Sequence, residues 1–246
     1  IHMKAGPVTY LPKEDLLPLM PEFLDSMLQF METDTWRYEL VHANFFMSAL
    51  VAMWLKQKLD IPYVVTYHAL GKVRRIHQGD QDRFPQERLK IEQETALHAD
   101  RVIAECPQDL EDLSVLYNID PNKIEIVPCG FCPSEFYPVN RAYSRSQIGY
   151  HSDDFMILQL GRMVPRKGID NVIRSLAHMH TVKNVRLVVV GGDSALPDPS
   201  LCPELARLQA IAKEAGVSDR VSFAGRKDRH LLKYYYSAAD IFITTP

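Results

Sequence analysis

Phe155-Met-Ile-Leu-Gln-Leu160, Gly161-Arg-Met-Val-Pro-Arg-Lys-Gly168 and Ile169-Asp-Asn-Val-Ile-Arg-Ser-Leu-Ala-His178 follow one another without interruption. The first segment is a near-continuous apolar run of strand length, the pattern of a strand buried on both faces. The third is an amphipathic helical stretch. Between them, two glycines bracket Arg162, Arg166 and Lys167. A strand that passes through a glycine loop into a helix is the opening of a parallel βαβ unit.

The same rhythm extends in both directions. Short β-branched runs predict strands at Tyr38–His42, Tyr63–Tyr67, Arg101–Glu105, Ile124–Val127, Phe155–Leu160, Val185–Val190, Arg220–Phe223 and Asp240–Thr244. Amphipathic stretches predict helices at Phe45–Lys58, Arg83–His98, Asp109–Tyr117, Arg141–Gly149, Ile169–His178, Cys202–Ala215 and Leu231–Ala238. Such alternation gives an α/β fold whose parallel sheets are covered on both faces. Right-handed crossovers gather the strand C-terminal ends on one edge, where open α/β sheets bind ligands.

Pro128, Gly130, Pro133 and Pro138 interrupt the rhythm, and no helix survives that density. The segment reads as a linker with its boundary near Tyr137–Asn140, giving domains at 1–138 and 139–246. Pro12, Pro18 and Pro21 predict that the first helix is broken or short. Ile1–Met3 resembles a strand without a start signal, and Asp240–Thr244 is a strand with nothing after it. An uncovered apolar edge strand is a liability, so the chain reads as part of a longer one, incomplete at both termini.

Composition narrows the function. The 246 residues carry 28 basic and 31 acidic side chains, a formal charge of −3, which argues against wholesale nucleic-acid binding. A hydrophobic content of 46% is that of a folded globular chain rather than a disordered one. The longest apolar stretch, Phe45–Leu55, falls short of the about 20 residues a membrane span needs, and no secretory signal pattern opens the chain. Four cysteines make no disulfide framework, so a reduced, cytoplasmic protein is expected. Cys129 and Cys132 form a Cys-x-x-Cys without a second pair at ligand spacing, and no metal site is assigned.

Cations and glycines concentrate after the strands. His68-Ala-Leu-Gly-Lys-Val-Arg-Arg75 follows Tyr63–Tyr67, Gly191-Gly-Asp193 follows Val185–Val190, and Gly225-Arg-Lys-Asp-Arg229 follows Phe223. Six of the eleven glycines, at 71, 161, 168, 191, 192 and 225, lie in these loops and the Gly161–Gly168 loop. Glycine allows close backbone approach, and neighbouring cations suit phosphate oxygens. At Gly161–Gly168 a phosphate would meet backbone donors, a helix N-terminus and fixed positive charge together. The loop is neither a Walker A sequence nor a Gly-x-Gly-x-x-Gly fingerprint.

Leu160-Gly-Arg-Met-Val-Pro-Arg-Lys-Gly-Ile-Asp170 resembles the donor-phosphate segment of family-4 retaining glycosyltransferases, which include sucrose-phosphate synthases and inositol-phosphate glycosyltransferases. Thr66-Tyr-His-Ala-Leu-Gly-Lys-Val-Arg74 is similar to the family's histidine loop. Arg88, Glu92 and His98-Ala-Asp-Arg-Val-Ile-Ala-Glu105 resemble its acceptor-side helix and the next strand. Ile126-Val-Pro-Cys-Gly130 through Phe136 is similar to its interdomain linker. Val190-Gly-Gly192 and Val221-Ser-Phe-Ala-Gly225 match later strand ends.

The resemblance implies the GT-B fold: two Rossmann-like domains facing a cleft, the first on the acceptor side and the second on the donor side. It implies transfer of a sugar from a nucleotide sugar, UDP-linked by expectation, to a hydroxyl of a sugar, sugar-phosphate or cyclitol-phosphate acceptor, without a cofactor. Arg162 and Lys167 would hold the donor diphosphate and stabilise charge on the leaving group. His68 would contact the donor sugar near the reacting carbon. Gly161, Gly191, Gly225, Arg226 and Lys227 would complete the donor site, and Lys72 and Arg88 would meet the acceptor. The family's glycine-rich first loop would precede Ile1, and its Glu-x7-Glu motif would follow Pro246. Ala69 stands where the inositol-phosphate enzymes carry Thr, and Asn44-Phe45 where His-Tyr is common.

Two other patterns are set aside. Asp80-Gln-Asp82 mimics a metal-binding Asp-x-Asp but falls in a polar loop. Glu92 and Glu94, two apart on one helix, do not share a face as paired acid and base carboxylates would. Two alternatives to glycosyl transfer stay open: a nucleotide-sugar epimerase of GT-B-like fold, and a non-catalytic nucleotide-sugar-binding protein.

Overall fold

The computed structural model describes residues 1–79 and 82–245. Its two units, Ile1–Gly130 and Phe131–Pro246, are each built on a four-stranded parallel sheet. The first runs α1 (Met20–Thr33), β1 (Val41–Asn44), α2 (Phe46–Leu59), β2 (Tyr63–Thr66), α3 (Gly71–Gln78), α4 (Glu87–His98), β3 (Arg101–Ala104), α5 (Pro107–Tyr117) and β4 (Ile124–Ile126). Its strands lie in the order β1-β2-β3-β4, with Val41 opposite Tyr63, Val64 opposite Arg101 and Val102 opposite Ile124. α2 is apolar on nearly every side because it is packed twice. Phe46, Ala49 and Leu50 join the sheet core around Val65 and Val102, while Val51 and Leu55 meet Leu24 of α1.

Several sequence expectations shift here. Ile1–Met3 forms no strand, and the strand expected at Tyr38–His42 lies at Val41–Asn44, where the ladder to β2 forms. Pro18 and Pro21 do not shorten the first helix. Pro18 sits in a 3-10 turn over Leu17–Leu19, and Pro21 occupies the first turn of the fourteen-residue α1. There a missing N–H costs nothing, so proline starts a helix it would break elsewhere. The expected loop after β2 becomes α3 from Gly71. The helix expected from Arg83 begins only at Glu87, since Pro85 disfavours helical geometry in the residue before it.

The second unit runs α6 (Arg141–Ile148), β5 (Phe155–Leu160), α7 (Ile169–Leu176), β6 (Val185–Val190), α8 (Pro203–Glu214), β7 (Val221–Gly225), α9 (Arg229–Ala238) and β8 (Ile241–Phe242). The β5 and β6 bounds are those read from the sequence, and the two strands pair along their whole length from Phe155 opposite Val185 to Leu160 opposite Val190. Alternate β5 residues serve opposite faces. Ile157 packs with Ile169, Ile173 and Leu208 from α7 and α8, while Met156 and Leu158 pack with Tyr235 and Ala238 of α9. β8 is shorter than expected and pairs with β5. Residues of the proline-rich segment belong to this unit: Phe136 stacks edge-on against Tyr236 at 6.4 Å, and Lys233 Nζ donates to the Tyr137 hydroxyl at 2.8 Å.

The strand order is β7-β6-β5-β8. β5 therefore connects outward to β6 on one side while β8 lies on its other side, and the order reverses at β5. In an open parallel sheet, ligands settle outside the strand ends at such a reversal. Among the described residues, no helix is long and apolar enough to cross a membrane.

Candidate functional site

In the second unit the site begins where β5 ends. Gly161 N–H donates to the Val190 carbonyl at 2.9 Å, and Gly191 N–H donates to the Gly225 carbonyl at 3.0 Å. Three adjacent strand ends are thus tied glycine by glycine into a shelf without side chains. Gly191 has φ +140, and a Cβ there would lie 1.8 Å from the Gly161 carbonyl oxygen. Only glycine fits this approach.

Beyond Gly161, Pro165–Lys167 forms one 3-10 turn that delivers Gly168 as the N-cap of α7. Gly168 has φ +57, and an added Cβ would meet the Thr245 carbonyl at 2.7 Å. No side chain caps α7; the Asn171 N–H donates to the Gly168 carbonyl at 3.1 Å, and the Ile169 and Asp170 amides ahead of it are the first-turn donors an outside acceptor would meet. The loop is held from behind. Gln159 Nε2 donates to the Lys167 carbonyl at 3.0 Å, and Thr245 Oγ1 donates to the Lys167 and Gly168 carbonyls, each at 3.0 Å. A small depression is lined by Gln159, Gly161, Arg162, Lys167, Val189 and Thr244.

Several cations of this unit are paired. Arg207 is paired with Asp170 and Glu204, Arg186 with Asp154, and Arg141 and Arg145 with Asp240. Arg162, Arg166, Lys167, Arg226 and Lys227 form no ion pair among the described residues. Unpaired cations and uncapped amides near a side-chain-free shelf are groups that suit an anion.

The first unit has its own cluster at the C-terminal ends of its strands. Asn44 ends β1, His68 follows β2, Glu105 follows β3 and Cys129 follows β4. His68 Nδ1 lies 2.9 Å from Glu105 Oε1, and Nε2 lies 2.8 Å from Asn44 Oδ1. Both ring nitrogens are engaged, so the ring plane is fixed. The Cys129 thiol donates to Glu105 Oε1 at 2.8 Å. That bond, with the lesser contribution of His68, holds the Glu105 carboxyl below the usual carboxylate range, and the same carboxylate pushes the Cys129 thiol up. Cys129 is therefore a hydrogen-bond donor here rather than a thiolate. His68 has φ +58 and Phe45 φ +76. Positive φ in bulky residues is costly and concentrates at working sites.

Lys72 and Arg88 are turned inward. Lys72 Nζ donates to the Leu116 carbonyl at 2.5 Å and sits 4.5 Å from the centre of the Tyr117 ring. Arg88 is only 1% exposed, with Nε on Glu92 Oε1 at 2.6 Å and Nη2 on the Ala69 carbonyl at 2.5 Å. The rings of Phe45, Phe46 and Phe84 surround its guanidinium at 4.6–5.1 Å. Both side chains, expected to meet an acceptor, make their present bonds inside the unit. Asp80 and Gln81 lie outside the described residues, and Asp82 accepts from Arg74 Nη2 at 2.9 Å. Glu92 is buried and Glu94 half-buried, on different faces of α4.

Sequence reasoning did not assign roles to Asn44 and Glu105 as partners of His68. Each is a polar residue at or just past the end of an apolar strand, and reading that position strand by strand picks out all three.

Residues 2–135 match the family model described as Glycosyltransferase Family 4, and residues 140–246 match Glycosyl transferases group 1. The chain is 32% identical over 98% of its length to a D-inositol 3-phosphate glycosyltransferase of Acidothermus cellulolyticus, of which it covers 55%. A protein of the same name from Segniliparus rotundus is 31% identical, with 53% of its length covered. The chain thus spans about half the length of these curated relatives. Among solved structures, a sucrose-phosphate synthase from Thermosynechococcus elongatus superposes with a TM-score of 0.83 at 31% identity, over 98% of this chain and 58% of that one. Anabaena HepE, solved with UDP and glucose, shares the fold at a TM-score of 0.71 and 19% identity, over 93% of this chain and 56% of its own.

Proposed function

Because the chain belongs to glycosyltransferase family 4, we propose that it binds a nucleotide sugar by its diphosphate on the Gly161–Gly168 loop and takes part in retaining sugar transfer. The acceptor in this reading is a hydroxyl of a sugar, sugar-phosphate or cyclitol-phosphate, and the donor is UDP-linked. The observation that carries the reading is the glycine shelf at the strand-order reversal, with uncapped α7 and unpaired Arg162 and Lys167 beside it.

Each group has a stated part. Arg162 and Lys167 hold the diphosphate and oppose the charge that grows on it as the bond to the sugar carbon breaks. Gly161 and Gly191 let the backbone approach the phosphates, and Gly225, Arg226 and Lys227 border the nucleotide base. The acceptor oxygen bonds to the anomeric carbon on the face the diphosphate leaves, and its proton passes to the departing phosphate oxygen. His68 contacts the transferred sugar near the reacting carbon, and its ring becomes a hydrogen-bond partner of the sugar on release of the Asn44 or Glu105 contact. The first unit takes the acceptor side and the second the donor side. All four cysteines are free, which suits the cytoplasm as the proposed setting.

The test is a thermal-shift panel followed by a transfer assay. A ligand that binds only the native state stabilises it by about 2.7 kcal/mol at 100 times its Kd. UDP and UDP-sugars should raise the unfolding temperature and uridine should leave it unchanged. An equal response to uridine and UDP removes the diphosphate from the proposal.

A further inference from the structure

We infer that Arg88 and Glu92 of α4 are positioning residues whose side chains hold the backbone that follows His68. The inference rests on the proposed part of His68 and deepens it. α4 takes hold of the run at every second residue. The Tyr67 hydroxyl donates to the Glu92 carbonyl at 2.9 Å, Arg88 Nη2 donates to the Ala69 carbonyl at 2.5 Å, and Gly71 N–H donates to Glu92 Oε2 at 2.8 Å. His68 makes no bond to α4. Its ring is taken at the strand-end edge by Asn44 and Glu105 instead.

The tethers are rigid because their anchors are buried and bonded to one another, with only Arg88 Nη1 left without a partner among the described residues. Glu92 is 0% exposed and also accepts from Arg88 Nε and the Tyr117 hydroxyl. Tyr117 in turn accepts from Lys72 N–H at 2.8 Å, holding the next residue of the run. Gly71 lies so close to α4 that an added Cβ would meet Leu89 at 2.8 Å and Glu92 at 2.9 Å. A positive φ at His68 persists only where surrounding structure over-determines it, and this network does so.

Stability alone does not account for the pair. A buried ion pair can be replaced by apolar residues of similar volume at little or no loss, whereas removing one partner is strongly destabilising. What Arg88 and Glu92 supply that Met and Leu cannot is the set of directed bonds to Ala69, Gly71 and the Tyr117 hydroxyl.

That contrast sets the experiment. In the full chain, R88M/E92L should fold, lower kcat by about 100-fold, the scale of an ångström-sized misplacement, and leave the KM for the nucleotide sugar within about twofold. The 15N resonances of the His68 ring should move with it. L55A, which cuts the core between α1 and α2 away from the loop, should leave those resonances in place. R88K keeps the ion pair with Glu92 but offers one nitrogen for two partners, so it should show the same shift with about a tenfold fall in kcat, and it serves if the double variant does not fold. Unmoved His68 resonances and wild-type kcat in a folded R88M/E92L or R88K overturn the inference. A wild-type chain that transfers no sugar overturns the functional reading instead, and the His68 resonances still decide the tethers.

Discussion

Lys167→Ala is expected to lower kcat by about 100-fold or more, the scale of losing one preorganised donor to a developing negative charge. The reasoning starts from the backbone. Gln159 and Thr245 hold the Lys167 carbonyl from behind, so the residue's position belongs to the fold and survives loss of the side chain. No carboxylate pairs with its ammonium among the described residues, so truncation leaves no counter-charge stranded. The variant should therefore unfold at the wild-type temperature while turnover falls. Because a diphosphate gains charge as the sugar carbon departs, the loss should appear in kcat more than in KM. Steady-state kinetics with a UDP-sugar check this, and turnover within about twofold of wild type removes Lys167 from the chemistry.

Gly191→Ala should have an equally large effect by a different route. The added methyl would sit 1.8 Å from the Gly161 carbonyl oxygen, and the residue is held at φ +140. Neither neighbour can retreat cheaply, since Gly161 is bonded to Val190 and Gly191 to Gly225. Overpacking of about 1–3 kcal/mol adds to about 1–3 kcal/mol of backbone strain, so a loss of about 3 kcal/mol is expected. Separation of the strand ends would also dismantle the shelf, and the stabilisation by UDP should disappear. Gly130→Ala is the control: nothing lies within 4 Å of a Cβ there. Denaturation of the two variants with and without UDP separates the cases, and a Gly191→Ala protein as stable and as responsive to UDP as wild type contradicts the geometry.

Sequence was most informative where local pattern and tertiary role coincide. β5 and β6 are buried on both faces, so their apolar runs mark their ends to the residue, and the glycine loop between β5 and α7 lies where the sequence put it. Legibility fell where meaning depends on distant partners. Pro21 reads as a breaker until the helix start is known. Nothing local to Arg88 announces that Phe45, Phe46 and Phe84 will close over it. β8 looks longer than it is because apolar residues continue past the ladder that defines it. Asn44 and Glu105 are ordinary polar residues until parallel pairing aligns their strand ends with His68.

The central claim is that a diphosphate belongs where β5 hands over to α7, and a crystal structure of the chain with bound UDP tests it most directly. The account predicts phosphate oxygens within about 3 Å of first-turn α7 amides and of Lys167 Nζ, the span of an ordinary charge-assisted hydrogen bond. UDP ordered at another place, with the Gly161–Gly168 loop closed by its own side chains, would contradict it.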